Sequence, residues 1–70
     1  MRRQRVSSSV IASVGYDPAT AVLEIELLDG AVYRYFAVPQ RQVEELLTAP
    51  SVGRFFNQVI KPRYPCERLE

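Results

Sequence analysis

The chain has 70 residues, nine Lys or Arg against eight Asp or Glu, a net charge of +1, no histidine and one cysteine. These counts exclude a two-domain protein, an internal disulfide and any chemistry that runs on imidazole. An apolar fraction of 47% is that of a folded domain and not of a disordered tail.

The near-neutral total conceals a segregation of charge. Residues 1–16 carry Arg2, Arg3 and Arg5 and no acid. The middle, residues 17–50, carries Asp17, Glu24, Glu26, Asp29, Glu44 and Glu45 against Arg34 and Arg41. The last twenty residues return to a basic balance through Arg54, Lys61, Arg63 and Arg68. If the two ends meet in space they build a basic patch; otherwise these are solvated side chains. The leading arginines are not followed by the apolar run of a secretory leader, and no segment approaches membrane-spanning length. The expectation is a cytoplasmic protein.

Residues 1–8 are basic and then Ser-rich, with nothing to bury, and read as a flexible arm ahead of one domain over 9–68. A first strand is expected from Ser9 to Tyr16, with Val10, Ala12 and Val14 alternating with Ile11 and Ser13. Asp17-Pro18-Ala19-Thr20 has the residues of a turn. The second strand, Ala21 to Leu27, alternates cleanly: Leu23, Ile25 and Leu27 on one side, Glu24 and Glu26 on the other.

The register of the next hairpin decides where two tyrosines point. A three-residue loop, Leu28-Asp29-Gly30, ends with Gly in the left-handed conformation. It pairs Ile25 with Tyr33, Leu23 with Tyr35 and Glu24 with Arg34. A two-residue loop would set the tyrosines against the glutamates instead. Cross-strand ion pairs and aromatic–aliphatic pairs contribute about 0.2–1 kcal/mol each, and only the three-residue loop satisfies both. The third strand, Ala31 to Phe36, therefore turns Tyr33 and Tyr35 toward the helices.

Pro39 suits a first helical turn, and Val43, Leu46 and Leu47 make residues 39–48 an amphipathic helix. Ala49-Pro50 ends it. Ser51 is the expected N-cap of a second helix with the apolar stripe Val52, Phe55, Phe56 and Val59. Pro62 is expected to stop that helix, leaving Arg63-Tyr64-Pro65 as an extended tail. Gly53 in its first turn implies close approach of a neighbouring segment or of a ligand. The fold class is α+β: a three-stranded antiparallel meander followed by two short helices packed on one face.

Several segments in this order are similar to the KTSC domain family: Ser-x-x-x-x-x-Gly-Tyr-Asp from Ser9 to Asp17, Leu23-x-Ile25-x-Leu27, Gly-x-x-Tyr-x-Tyr from Gly30 to Tyr35, Val38-Pro39, and Gly53-x-x-Phe56-Asn57-x-x-Ile60. The resemblance covers roughly residues 9–68. The family comprises stand-alone bacterial proteins and a C-terminal module of some lysyl-tRNA synthetases. The resemblance implies no established activity; RNA binding has been suggested from the synthetase context, which is an association and not a site.

No hydroxyl or thiol stands beside an activating pair, no glycine loop is built to cradle phosphate, and no ligand cluster points to a metal. The expectation is a non-enzymatic module without cofactor or metal. Arg54, Asn57, Gln58 and Lys61 fall at helical spacing on one face. With Arg63, Arg68 and Tyr64 they form the basic–aromatic cluster that best suits RNA or tRNA: cations on phosphates, Tyr64 stacking, Asn57 hydrogen bonding, and the N-terminal arginines adding reach. Tyr33 and Tyr35 are either core residues or a stacking platform. The rival is a protein partner held by an edge strand or by the acidic sheet face of Glu24 and Glu26.

Overall fold

The computed structural model describes residues 3–70. Five antiparallel strands lie side by side in sequence order: β1 (Arg3–Arg5), β2 (Ile11–Asp17), β3 (Val22–Leu27), β4 (Val32–Tyr35) and β5 (Cys66–Arg68). Between β4 and β5 the chain forms α1 (Gln40–Thr48) and a second helical run, α2 (residues 52–63). The class is α+β, but the three-stranded meander is corrected to a five-stranded sheet. The two missed strands are its edges. Arg3, Gln4 and Arg5, expected to fray, pair with Gly15, Val14 and Ser13, and Cys66–Arg68 pairs with β4. Both are three residues long and exposed throughout, so neither carries apolar alternation. They form because β2 and β4 otherwise leave unpaired backbone N–H and C=O groups along their outer edges. Arg2, proposed to add reach to a binding surface, lies outside the described residues.

The central hairpin has the anticipated register: Leu23 faces Tyr35, Glu24 faces Arg34 and Ile25 faces Tyr33. The Leu28-Asp29-Gly30 loop sets it. Gly30 takes φ +95°, its N–H donates to the Leu27 carbonyl, and the Asp29 carboxylate accepts the Ala31 N–H. In β2 the simple alternation fails. A β-bulge between Ile11 and Ser13 lets Ile11 and Val14, three residues apart, both enter the core. They join Leu23, Ile25 and Tyr35 beneath Val38, Val43, Leu46, Phe56 and Ile60.

Ser51 caps α2 by accepting the Arg54 N–H. Pro62 does not stop the helix, which runs on through Arg63. Proline lacks a donor and its ring crowds the carbonyl four residues back. Here the ring follows a π-turn over Phe56–Ile60, in which the Lys61 N–H reaches back to the Phe56 carbonyl. That extra residue also places both Phe56 and Ile60 at the bottom of the core, while Val52, Phe55 and Val59 are only half-buried.

Gly53 is explained by packing. A Cβ there would meet the Ser8 Oγ at 3.1 Å and Val10 at 3.3 Å. Ser8 has little freedom to yield, because its Oγ accepts the N–H groups of Val10 and Ile11. Two alanines are also under strain: Ala21 at φ 58° and Ala37 at φ 60°. The segments that hold them are joined, the Val38 N–H donating to the Ala21 carbonyl and the Tyr16 hydroxyl to the Val38 carbonyl.

Two opposite stability changes follow. Gly53→Ala should lower stability by about 1 kcal/mol, because overpacking of ~1–3 kcal/mol exceeds a helix-propensity gain of ~1 kcal/mol. Ala37→Gly should raise it by about 0.5–1 kcal/mol by relieving the left-handed backbone. Urea melts of the two variants check both signs; a Gly53→Ala protein more stable than its parent would contradict the close packing.

Candidate functional site

The sheet has two faces of different chemistry. On the open face the pairing aligns Arg3, Gly15, Glu24, Arg34 and Glu67 in one row across all five strands. Glu24 is only 5% exposed, although no helix covers it. Its cover is the two arginines: Arg3 Nε donates to one carboxylate oxygen at 2.7 Å and Arg34 Nε to the other at 3.1 Å. Beside them Ser13 Oγ donates to Glu26 at 2.8 Å, and Arg3 Nη1 stands 3.7 Å from the same carboxylate. The acidic face considered as a partner surface is thus largely self-neutralised. Burial pushes the Glu24 carboxyl up, but hydrogen bonds and charge from Arg3 and Arg34 outweigh it and hold the group below its ordinary range.

On the other face, at the sheet edge, β4, β5 and α2 enclose a cleft of 280 Å³ lined by Leu27, Tyr33, Tyr35, Phe56, Lys61 and Cys66. The hairpin register puts Tyr33 and Tyr35 here. Tyr35 is 2% exposed and meets Phe56 edge to face at a centroid distance of 5.6 Å. Cys66 stands directly across the ladder from Tyr35, and burial raises the Tyr35 hydroxyl above the ordinary tyrosine value. Tyr33 is half-buried, with its ring 6.5 Å from that of Tyr35. The Arg68 guanidinium, directly across the ladder, stands 5.7 Å from the Tyr33 ring centre.

The other sequence candidates are divided by the structure. Lys61 borders the aromatic cleft, whereas Arg54 and Gln58 border a shallow hollow at the α1–α2 junction with Phe55 and Pro50. Asn57 is exposed on α2. Arg63 and Tyr64 are tied to the other helix: the Arg63 Nη1 and the Tyr64 hydroxyl both donate to the Gln42 side-chain oxygen, at 3.0 and 2.8 Å. Gln42 is itself buried and donates to Glu45. Tyr64 therefore fastens the end of α2 to α1. Sequence reasoning did not select Leu27, Phe56 or Cys66, and it placed Arg68 in the basic cluster without its partner Tyr33. Cys66 and Arg68 sit on β5, whose three exposed residues carry no periodic signal.

Among the described residues the ion pairs join Arg3 and Arg34 to Glu24 and Glu26; Arg54, Lys61, Arg63 and Arg68 have no Asp or Glu side-chain oxygen within 4.0 Å, and the Arg68 Nε donates to the Glu70 main-chain oxygen at 3.1 Å. No group of three or more metal-ligating side chains occurs among the described residues, and no helix there is long and apolar enough to cross a membrane.

The geometry defines a small α+β domain whose sheet has one self-paired ionic face and an aromatic cleft at the β4–β5 edge. A family model described as the KTSC domain matches residues 7–64. The chain belongs to the KTSC domain family. It is similar to the crystal structure of a KTSC domain protein from Yersinia pestis, with a TM-score of 0.92 and 44% identity over 99% of this chain and 97% of that one. An uncharacterised protein of Stutzerimonas stutzeri is 52% identical over 64 residues, which are 91% of this chain and 90% of that protein. A lysine–tRNA ligase of Nostoc punctiforme is 44% identical over 61 residues, 87% of this chain and 11% of the ligase.

The buried carboxylate generates a pH dependence. Because Glu24 titrates lower folded than unfolded, its contribution is present above about pH 4.5, the ordinary carboxylate value, and is lost as pH falls through the lowered folded value. The difference in Tm between the parent and Glu24→Gln should be largest at neutral pH and shrink toward pH 3. A difference that stays constant or grows in acid would contradict the ion-paired carboxylate.

Proposed function

We propose that this domain is a non-enzymatic RNA-contacting module that docks single-stranded RNA or tRNA on the surface formed by α2 and β5. The observation that carries the reading is the division of the cations. Arg3 and Arg34 are used within the fold, whereas Arg54, Lys61, Arg63 and Arg68 stand along α2 and β5 with no Asp or Glu side-chain partner among the described residues, Arg63 being held only by neutral Gln42 and Arg68 by the Glu70 main-chain oxygen. Residues 52–63 include no acid at all. Unpaired cations on a rigid element supply phosphate contacts, and exposed Asn57 supplies a donor and an acceptor beside them. The similarity to a segment of lysine–tRNA ligases, proteins named for a tRNA substrate, supports the same ligand class. So few cations give weak affinity and little sequence discrimination. Strand addition by a protein partner is less favoured, since both edge strands are only three residues long and carry arginines.

Anisotropy of a labelled single-stranded RNA and of tRNA, read over a salt series, tests this. Three or four phosphate contacts predict a log–log slope of about −2 to −3. Charge reversal at the exposed positions Arg54→Glu and Lys61→Glu together should weaken binding about ten-fold or more and change folding stability by only about 0.5 kcal/mol. Absence of binding at low salt, where the electrostatic attraction is strongest, would remove the RNA reading.

A further inference from the structure

We infer that the cleft between β4, β5 and α2 is a pocket for one unpaired nucleobase of the bound RNA, an inference that rests on the RNA-contacting reading and specifies how the ligand is held. The lining is mostly apolar and aromatic, Tyr33, Tyr35 and Phe56 with Leu27, and the residues that bring polar groups to it are the two tyrosines, Lys61 and Cys66. At 280 Å³ the space falls just below the range of small-molecule sites, about 300–1,000 Å³. It suits one flat ring system better than a larger ligand. No carboxylate lines it, and cations stand on two sides, Lys61 from the helix and Arg68 over the face of the Tyr33 ring. A ligand that fits has a planar, largely apolar part that enters and an anion that stays at the rim. A nucleotide within a strand has both: its base stacks on Tyr33 in place of the Arg68 guanidinium, which is then free to meet the phosphate together with Lys61.

The polar end of the pocket agrees. Tyr35 and Cys66 are partners across the β4–β5 ladder and both line the cleft, and a thiol is a weak hydrogen-bond partner for the tyrosine hydroxyl. A ring nitrogen or carbonyl oxygen on a base edge is a stronger one. The same pairing places Cys66, the only cysteine of the chain, at the mouth of the cleft, where it is exposed to reagents. It therefore offers a way to block the pocket without altering any cation.

The test compares a short single-stranded RNA with the same ribose-phosphate backbone lacking bases, on the full chain at low salt. Affinity is read by anisotropy and stacking by quenching of tyrosine fluorescence, since the chain has no tryptophan. Base-bearing RNA should bind about ten-fold or more tightly than the abasic strand and quench tyrosine emission. Alkylating Cys66 with N-ethylmaleimide should reduce base-bearing RNA to the abasic level and leave the abasic affinity unchanged, with the fold checked by circular dichroism. Tyr33→Leu, which keeps an apolar half-buried residue, should do the same. Equal affinity for the two strands, still weakened by Lys61→Glu, would overturn the base pocket and leave backbone docking standing. If neither strand binds, both readings fall; a phosphotyrosine peptide that then shifts the Tyr33 and Cys66 amides would assign the cleft to a protein ligand instead.

Discussion

The register of the β3–β4 hairpin is the constraint on which the rest of the molecule depends. Strand side chains alternate with a period of two, so a slip of one residue would exchange the two faces of β4. The Leu28-Asp29-Gly30 loop prevents the slip, with Gly30 in the left-handed region and Asp29 closing the turn. As a result Arg34 lies over Glu24, and Tyr33 and Tyr35 lie under α2. Both the ionic face and the aromatic cleft follow from that one choice.

The charge pattern is reorganised by folding. Arginines distant in sequence, Arg3 and Arg34, close over one carboxylate, and Glu26 is drawn in through Ser13 and Arg3. The pairing shields Glu24 on a face that has no helix to cover it. A lone carboxylate in that position would lose much of its hydration without compensation. The cations of α2 and β5 have no comparable partners among the described residues, and two of them, Lys61 and Arg68, lie beside the tyrosines. A chain of net charge +1 can in this way present a local positive field.

Helix α2 shows how a local rule is met by an unexpected route. Proline at position 62 ends an ordinary helix, and the reading of an extended tail from residue 63 followed from that. The π-turn over Phe56–Ile60 absorbs the missing donor and rotates Lys61 toward β4 and β5. The same turn lowers Ile60 into the core and leaves Arg63 and Tyr64 within reach of Gln42. The chain then emerges in position to add β5 to the edge of β4.

The sequence by itself determined the features that depend on neighbours a few residues apart: the Leu23-x-Ile25-x-Leu27 alternation, the hairpin register, the α1 stripe and the Ser51 cap. Each is an interaction of a strand or helix with its own period or with a tight turn, so composition and spacing carry it. Tertiary structure alone decided the two edge strands, the β2 bulge, the reason for Gly53 and the make-up of the cleft. Edge strands of three exposed residues are selected by unpaired backbone on their neighbours, which no side-chain pattern records. Gly53 answers to Ser8 and Val10, more than forty residues earlier in the chain. The cleft joins Leu27, Tyr33, Phe56, Lys61 and Cys66, residues from three strands and a helix that share no spacing and come together only when the sheet and α2 are packed.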